Sequence, residues 1–179
     1  KKAARCFYAL SQNRADSKRY PAIDTLDSYS KYLEYPEFLE YAKDKLDENW
    51  VNLVNEARNI LVRGKEMEEQ INILGDDSVP IDYHVTLWKS EFVDFVILQQ
   101  DAFDKIDATT SLERQEFMLK KVINVTRSEF KFEGFEEVGT YFKRLINVFR
   151  QMNYTVFKSD EFHKAEAEAN AVLEERIIK

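Results

Sequence analysis

The chain has 179 residues with 44% hydrophobic and 13% aromatic side chains, enough for one domain with a real core. Four glycines and three prolines are too few for an all-β fold with many tight turns. A net charge of −7 argues against a general nucleic-acid binder. The remaining composition, rich in Glu, Lys, Leu and Ala, favours long helices, and the expected class is an all-α helical bundle built around a long αα-hairpin.

The expected elements run as follows. Residues 3–10 read as the end of a helix that begins upstream, and residues 11–19 as a polar turn. The first 20 residues carry +5 and the remainder −12, so the basic end is either a solvated terminus or a surface that meets phosphate or an acidic neighbour. A connector follows, with Pro21 fixing its own backbone and pushing Tyr20 out of helical geometry. Its Asp24, Asp27, Ser28 and Ser30 favour turns, while two tyrosines and two aliphatics let it pack down as a structured connector. Residues 1–35 form this entry segment and residues 36–179 the bundle proper.

Pro36 suits the first turn of a helix. Leu46, Trp50, Leu53, Val54, Ala57, Ile60, Leu61, Met67, Ile71 and Leu74 recur at three- and four-residue steps, predicting one amphipathic helix of up to about 28 residues, or ~42 Å. Gly64 is a possible kink and Gly75 stands where a C-cap glycine belongs. After the break at Gly75, Asp76, Asp77, Ser78, Val79 and Pro80, a second helix is expected over residues 81–100, with Val85, Trp88, Phe92, Phe95, Val96 and Gln99 on one face. The two make an αα-hairpin. Residues 101–110 form an irregular link. Ser111 caps a helix that turns Leu119, Val122, Ile123, Thr126 and Phe130 inward. Gly134 interrupts it, a helix over residues 135–153 carries Phe142, Leu145, Ile146, Phe149 and Met152, and Ser159 opens a last acidic helix.

Several chemistries find no support. The only Gly-Lys pair, Gly64-Lys65, is followed by Glu66 inside a helix, so there is no phosphate-cradling loop. His84 and His163, without a cysteine cluster, give no metal signature, and paired acids such as Glu68-Glu69 read as solvated faces. A lone Cys6 allows no intrachain disulfide and fits a reducing compartment. No apolar run approaches a membrane span, no signal peptide is expected, and the opening on Lys1-Lys2 without Met suggests a piece of something longer. The residues alone describe a helical binding or interaction domain, with no catalytic residues of its own.

Three blocks carry a resemblance. Lys18-Arg19-Tyr20-Pro21-Ala22-Ile23-Asp24 with Leu26-Asp27-Ser28-Tyr29-Ser30-Lys31-Tyr32 resembles the Arg-His-Phe-Pro-Ala-Ile-Asn-Trp-Leu-x-Ser-Tyr-Ser-x-Tyr signature of the catalytic A subunit of V-type and archaeal-type rotary ATPases. Ile73-Leu74-Gly75-Asp76-Asp77-Ser78-Val79-Pro80 is similar to that family's Leu-Val-Gly-x-Asp-Ala-Leu-Pro loop, and residues 94–107 to its Asp-Phe-Leu-Gln-Gln-Asn-Ala-Phe-x-x-Val-Asp block. Tyr20 stands for the family's His-Phe, Asp24-Thr25 for its Asn-Trp, and Val96-Ile97 adds a residue, as in a divergent branch.

The resemblance implies the C-terminal helical domain of a subunit that turns over ATP, whose phosphate loop and Mg2+ would lie upstream. It implies that Phe7 and Phe103 flank adenine of ATP or ADP, with Gln100 beside them; read from the residues alone, both Phe are equally core aromatics. It implies that Gly75, Asp76, Asp77, Ser78, Val79 and Pro80 form a hairpin tip pressing on the central stalk, where the residues alone allow an ordinary solvated turn. Arg19 either braces the connector or faces the nucleotide domain. The partners implied are B subunits and stalk subunits, with no nucleic acid and no membrane insertion, in a complex peripheral to the membrane on the cytoplasmic side that moves protons or sodium ions. A different class of reading is a stand-alone helical adaptor that binds a partner helix.

Overall fold

A computed structural model describes residues 5–178. The helical bundle is borne out, with a small two-stranded ribbon added at its N-terminal side. The elements are β1 (Cys6–Leu10), α1 (Gln12–Asp16), β2 (Ile23–Ser30), α2 (Pro36–Lys45), α3 (Trp50–Leu74), α4 (Ile81–Val93), α5 (Leu112–Arg127), α6 (Phe135–Asn153) and α7 (Asp160–Glu174).

The first expected helix is corrected. Residues 6–10 are extended and β1 pairs antiparallel with β2, while Lys1, Lys2, Ala3 and Ala4 lie outside the described residues. Long-range backbone pairing overrides the local alanine content, and Phe7 and Tyr8 are strand formers. The ribbon is irregular: Phe7 faces Tyr29 but Ala9 faces Asp24, so β2 accommodates extra residues between them. Side chains close that bulge. Asp24 Oδ1 accepts from the N–H groups of Leu26 and Asp27, both at 2.9 Å, and Ser28 Oγ accepts from Ala9 N–H at 3.0 Å. The connector is therefore structured, though half-buried. The polar turn contains one short helix, α1, capped by Ser11 Oγ.

The long helix is also shorter than its pattern. α2 ends at Lys45, Leu46 is extended, and α3 starts afresh at Trp50 with 25 residues. Asp47 is the cause: its Oδ1 accepts from Asn49 N–H at 2.8 Å, a local bond that competes with the helical ladder. α3 runs unbroken through Gly64 and ends at Gly75, whose N–H donates to Ile71 O at 2.8 Å. Gly75 has φ of +87°, a region that suits glycine. A 3₁₀ turn (Asp76–Ser78) leads into α4, completing the αα-hairpin.

Gly64 has a packing role instead of a kink. A Cβ there would lie 2.0 Å from Ser90 Cβ on α4, so the arms of the hairpin meet backbone to side chain at this level. α4 is followed by a π turn (Asp94–Leu98), in which Gln99 N–H donates to Asp94 O at 2.9 Å.

α6 is the centre of the bundle. Its Phe142, Leu145, Phe149 and Met152 are buried, as are Phe92 of α4, Ile123 of α5 and Phe162 of α7. Phe92 meets Phe149 edge-on at 4.9 Å. Each such side chain contributes about 1.5–3 kcal/mol through burial, which makes this aromatic core the main support of the fold. The inward faces expected for α4, α5 and α6 are observed within those helices, but Phe95, Val96 and Gln99 lie beyond the end of α4, which stops at Val93 and not near residue 100, and Phe130 lies beyond the end of α5. Tyr141 Oη fastens α6 to the end of α7 by donating to the carbonyls of Val172 and Leu173 at 3.3 and 3.0 Å, and burial pushes its pKa well up.

Candidate functional site

Three places on this frame correspond to the residues singled out by sequence. The first is the hairpin tip. Residues 72–78 are exposed, with Ile73 78% accessible beside Asp76 and Asp77. The tip is nevertheless anchored. Buried His84 on α4 donates Nε2–H to Asp76 O at 3.1 Å, the only role that nitrogen can take toward a carbonyl, and stacks on Phe135 at 5.0 Å. His84 is thus a structural histidine that holds the turn to the start of α6. Ser78 N–H donates to Gly75 O at 3.1 Å, stiffening the turn further.

The second is a set of three residues, Phe7 on the ribbon and Gln100 and Phe103 in the link after the π turn, with no ring contact between the two Phe among the described residues. Phe7 is half-exposed on β1 and stacks against Tyr29 at 6.1 Å. Phe103 is fully exposed in the link after the π turn, its N–H held by Asp101 Oδ1 at 2.9 Å. Gln100 is exposed too; its N–H donates to Tyr20 O at 3.0 Å and its Nε2–H to Asp107 O at 3.3 Å. Neither Phe is a core side chain in this chain. Gln100 lines a cavity of about 650 Å³ between β2, α3, the π turn and α5; neither Phe7 nor Phe103 does.

The cavity has an apolar wall, including Trp50, Val54, Leu61 and Met118, and a polar end. Arg114 is buried there and donates Nη2–H to Met152 O at 2.7 Å, while Asn153 donates Nδ2–H to Val96 O at 2.8 Å. Burial pushes the Arg114 pKa down against the charges of Asp107 and Asp104. Burial pushes the Asp107 carboxyl up, opposed by the Asp101 N–H at 2.6 Å and by the Arg114 charge.

The third place is the junction of connector and hairpin. Arg14 Nη1 donates to Asp94 Oδ1, and Arg19 donates to Glu91 Oε2 at 2.7 Å, Glu91 Oε1 at 3.0 Å and Asp94 Oδ2 at 3.2 Å. The Arg19 guanidinium also lies 4.4 Å from the Phe95 ring centroid. Burial opposes the Arg19 charge, but the two carboxylates outweigh it and its pKa rises. Of the two roles open to Arg19, bracing is the one seen here. Two of the four described basic residues near the N-terminal end, Arg14 and Arg19, are spent on this junction.

Sequence reading assigned nothing to Arg14, Glu91, Asp94, Asp107 or Arg114. Asp94 carried a signal, since it opens the third block and sits in the inward-facing stretch of a helix. Arg14 carried none. Among the described residues no group of His, Cys, Asp and Glu could hold a metal ion, and no helix is long and apolar enough to cross a membrane.

The model of the C-terminal domain of V and A type ATP synthase matches residues 39–133, from within α2 to the approach of α6. The chain belongs to this family. Two V-type ATP synthase alpha chains extend the match across nearly all of it. That of Borrelia duttonii (strain Ly) is 35% identical over 172 residues, covering 96% of this chain and 28% of the relative. That of Protochlamydia amoebophila (strain UWE25) is 33% identical over 173 residues, covering 97% and 29%. A solved ATP synthase subunit, NeqB from Nanoarcheaum equitans, overlays with a TM-score of 0.49 at 20% identity, covering 70% of this chain and 28% of that one, too loose a likeness to carry an argument. This V/A-type C-terminal domain thus spans under a third of the length of the curated relatives it matches.

Proposed function

We propose that this V/A-type domain is the lever of an ATP-turning-over catalytic subunit in a rotary ATPase. It lends aromatic side chains to the adenine site and presses its hairpin tip on the central stalk. The observation that carries this reading is the α3/α4 hairpin: two packed arms end in a short turn that is anchored from behind by His84 and exposed in front. A stiff arm with a small exposed end is suited to transmit displacement.

In this reading Phe7 and Phe103 offer accessible ring faces to adenine and Gln100 an amide at the edge of the site. Stacking on such rings is tolerant of base identity. The residues of this chain fit adenine but not the phosphates, since no phosphate loop occurs in it. Phosphate and Mg2+ binding therefore belong upstream, and the domain alone is expected to be inactive toward ATP. The B subunits and stalk are its partners, in a complex peripheral to the membrane on its cytoplasmic side that couples ATP to ion movement.

In the full subunit, Phe103→Ala is expected to weaken ATP binding by about 1–3 kcal/mol, roughly 5- to 150-fold in Kd. Equilibrium titration with a fluorescent ATP analogue checks it. Because Phe103 is fully exposed, the thermal stability of the chain should not change; unchanged affinity would remove Phe103 from the site.

A further inference from the structure

We propose that Arg14, Arg19, Glu91 and Asp94 form a latch through which the α3/α4 lever drives the connector, with Asp94 and Arg19 as positioning residues for the coupling of ATP turnover to ion movement. This rests on the lever reading above. Four observations converge on it. Asp94 is buried, and its two oxygens take different arginines, Arg14 from α1 and Arg19 from the segment before β2. Arg14 also donates Nε–H to Pro21 O at 3.3 Å, so it grips connector backbone and α4 together. Arg19 bridges the end of α4 by binding Glu91 within it and Asp94 just after it, and its guanidinium lies over the Phe95 ring. Immediately beyond the π turn that Asp94 opens, Gln100 N–H donates to Tyr20 O.

The geometry makes the latch the stiff link between the two parts. The tip lies at the N-terminal end of α4 and Asp94 follows its C-terminal end, so load entering at the tip travels along α4 to this carboxylate. From there it passes to Arg19, Tyr20 and Pro21, and on through the ribbon to Phe7. The other arm contributes Arg58 Nη2, which reaches Leu26 O at 3.2 Å and Ser28 O at 3.5 Å from an exposed position. Charge-assisted bonds to a buried carboxylate are the stronger of the two contacts. Two separate motif blocks, that of Arg19 and that of Asp94, meet at this one point.

The test uses the complete catalytic subunit assembled into its complex in proteoliposomes. ATP hydrolysis is measured beside ATP-driven ion uptake, read by both a pH dye and a sodium tracer. Asp94→Asn and Arg19→Ala should leave hydrolysis within about threefold while ions moved per ATP fall at least ~5-fold, the scale of a 1 kcal/mol coupling. Arg19→Lys, which keeps charge but loses the fork, should give an intermediate ratio, and it decides the matter if the other variants do not assemble. A tip variant, Asp76→Ala with Asp77→Ala and Ile73→Ala, separates the two claims. If the tip variant lowers the ratio and the latch variants do not, the latch is wrong and the lever stands. If the tip variant leaves the ratio unchanged, the lever reading itself fails. Equal losses of hydrolysis and transport in the latch variants would reduce the cluster to a structural clip and overturn the proposal.

Discussion

Gly64→Ala is expected to destabilise the chain by about 2–3 kcal/mol, lowering its melting temperature by roughly 4–12 °C. The sign is decided by two opposed effects. Alanine in place of glycine inside a helix ordinarily gains about 1 kcal/mol. Here the new methyl would stand 2.0 Å from Ser90 Cβ and 2.2 Å from its Oγ, with Ser90 itself buried on α4. A Cβ cannot rotate away, so the arms of the hairpin must separate. Ser90→Gly alone should cost about 1 kcal/mol as a helix glycine, yet combined with Gly64→Ala it should recover most of the loss. Ser90→Ala keeps its Cβ and should recover little. Thermal melts of the four variants give the interaction energy directly, and additive losses would show that the contact is not what limits the hairpin.

Arg114→Leu is the other substitution with a large expected effect, about 3 kcal/mol near neutral pH. It removes the Nη2–H bond to Met152 O and takes away the larger of the two arginine charges, Arg114 and Arg150, that act on the buried Asp107 carboxyl. Burial already raises the Asp107 pKa above its ordinary 3.8. A carboxyl raised in the folded state stabilises the fold fully below its unfolded value, and that contribution is lost as pH rises through the folded value. Without Arg114 the folded value moves further up. The variant should therefore lose less stability at pH 4 than at pH 7, where the folded state must carry a buried carboxylate offset by Arg150 alone. Adding Asp107→Asn keeps an acceptor for the Asp101 N–H and should flatten this dependence while restoring part of the loss at pH 7. Denaturant unfolding at the two pH values checks it; an equal loss at both would mean the Met152 bond alone matters.

The parts legible in the sequence are those set by periodicity and caps. Ser111 and Ser159 cap α5 and α7 as expected, each accepting an N–H three residues on. Gly75 ends α3, and the apolar stripe of α6 fixes the centre of the core. What was hidden depends on contacts between distant segments. The alanines at positions 3, 4 and 9 suggested helix, but β1 is made by hydrogen bonds to a partner some twenty residues away. The step from α2 to α3 turns on a single side chain, Asp47, within an otherwise continuous apolar pattern. The role of Gly64 needs a residue 26 positions later, and the latch joins Arg14 to Asp94 across 80. Within the candidate site, the tip was visible as a Gly-to-Pro break. The exposure of Phe103 was not, because a Phe in an apolar-looking link reads equally well as core.

The central claim is that the hairpin tip pushes on the stalk. Cysteine cross-linking tests it most directly, with Cys6, the one thiol of this chain, and any thiol elsewhere in the complete subunit replaced by serine beforehand. With Asp77→Cys in the complete subunit and single cysteines placed around the facing stalk surface, oxidation of the assembled complex should form a tip-to-stalk disulfide. ATP hydrolysis should then stop and return on reduction. Failure to cross-link at any stalk position, or a cross-linked complex that hydrolyses ATP at its original rate, would contradict the account.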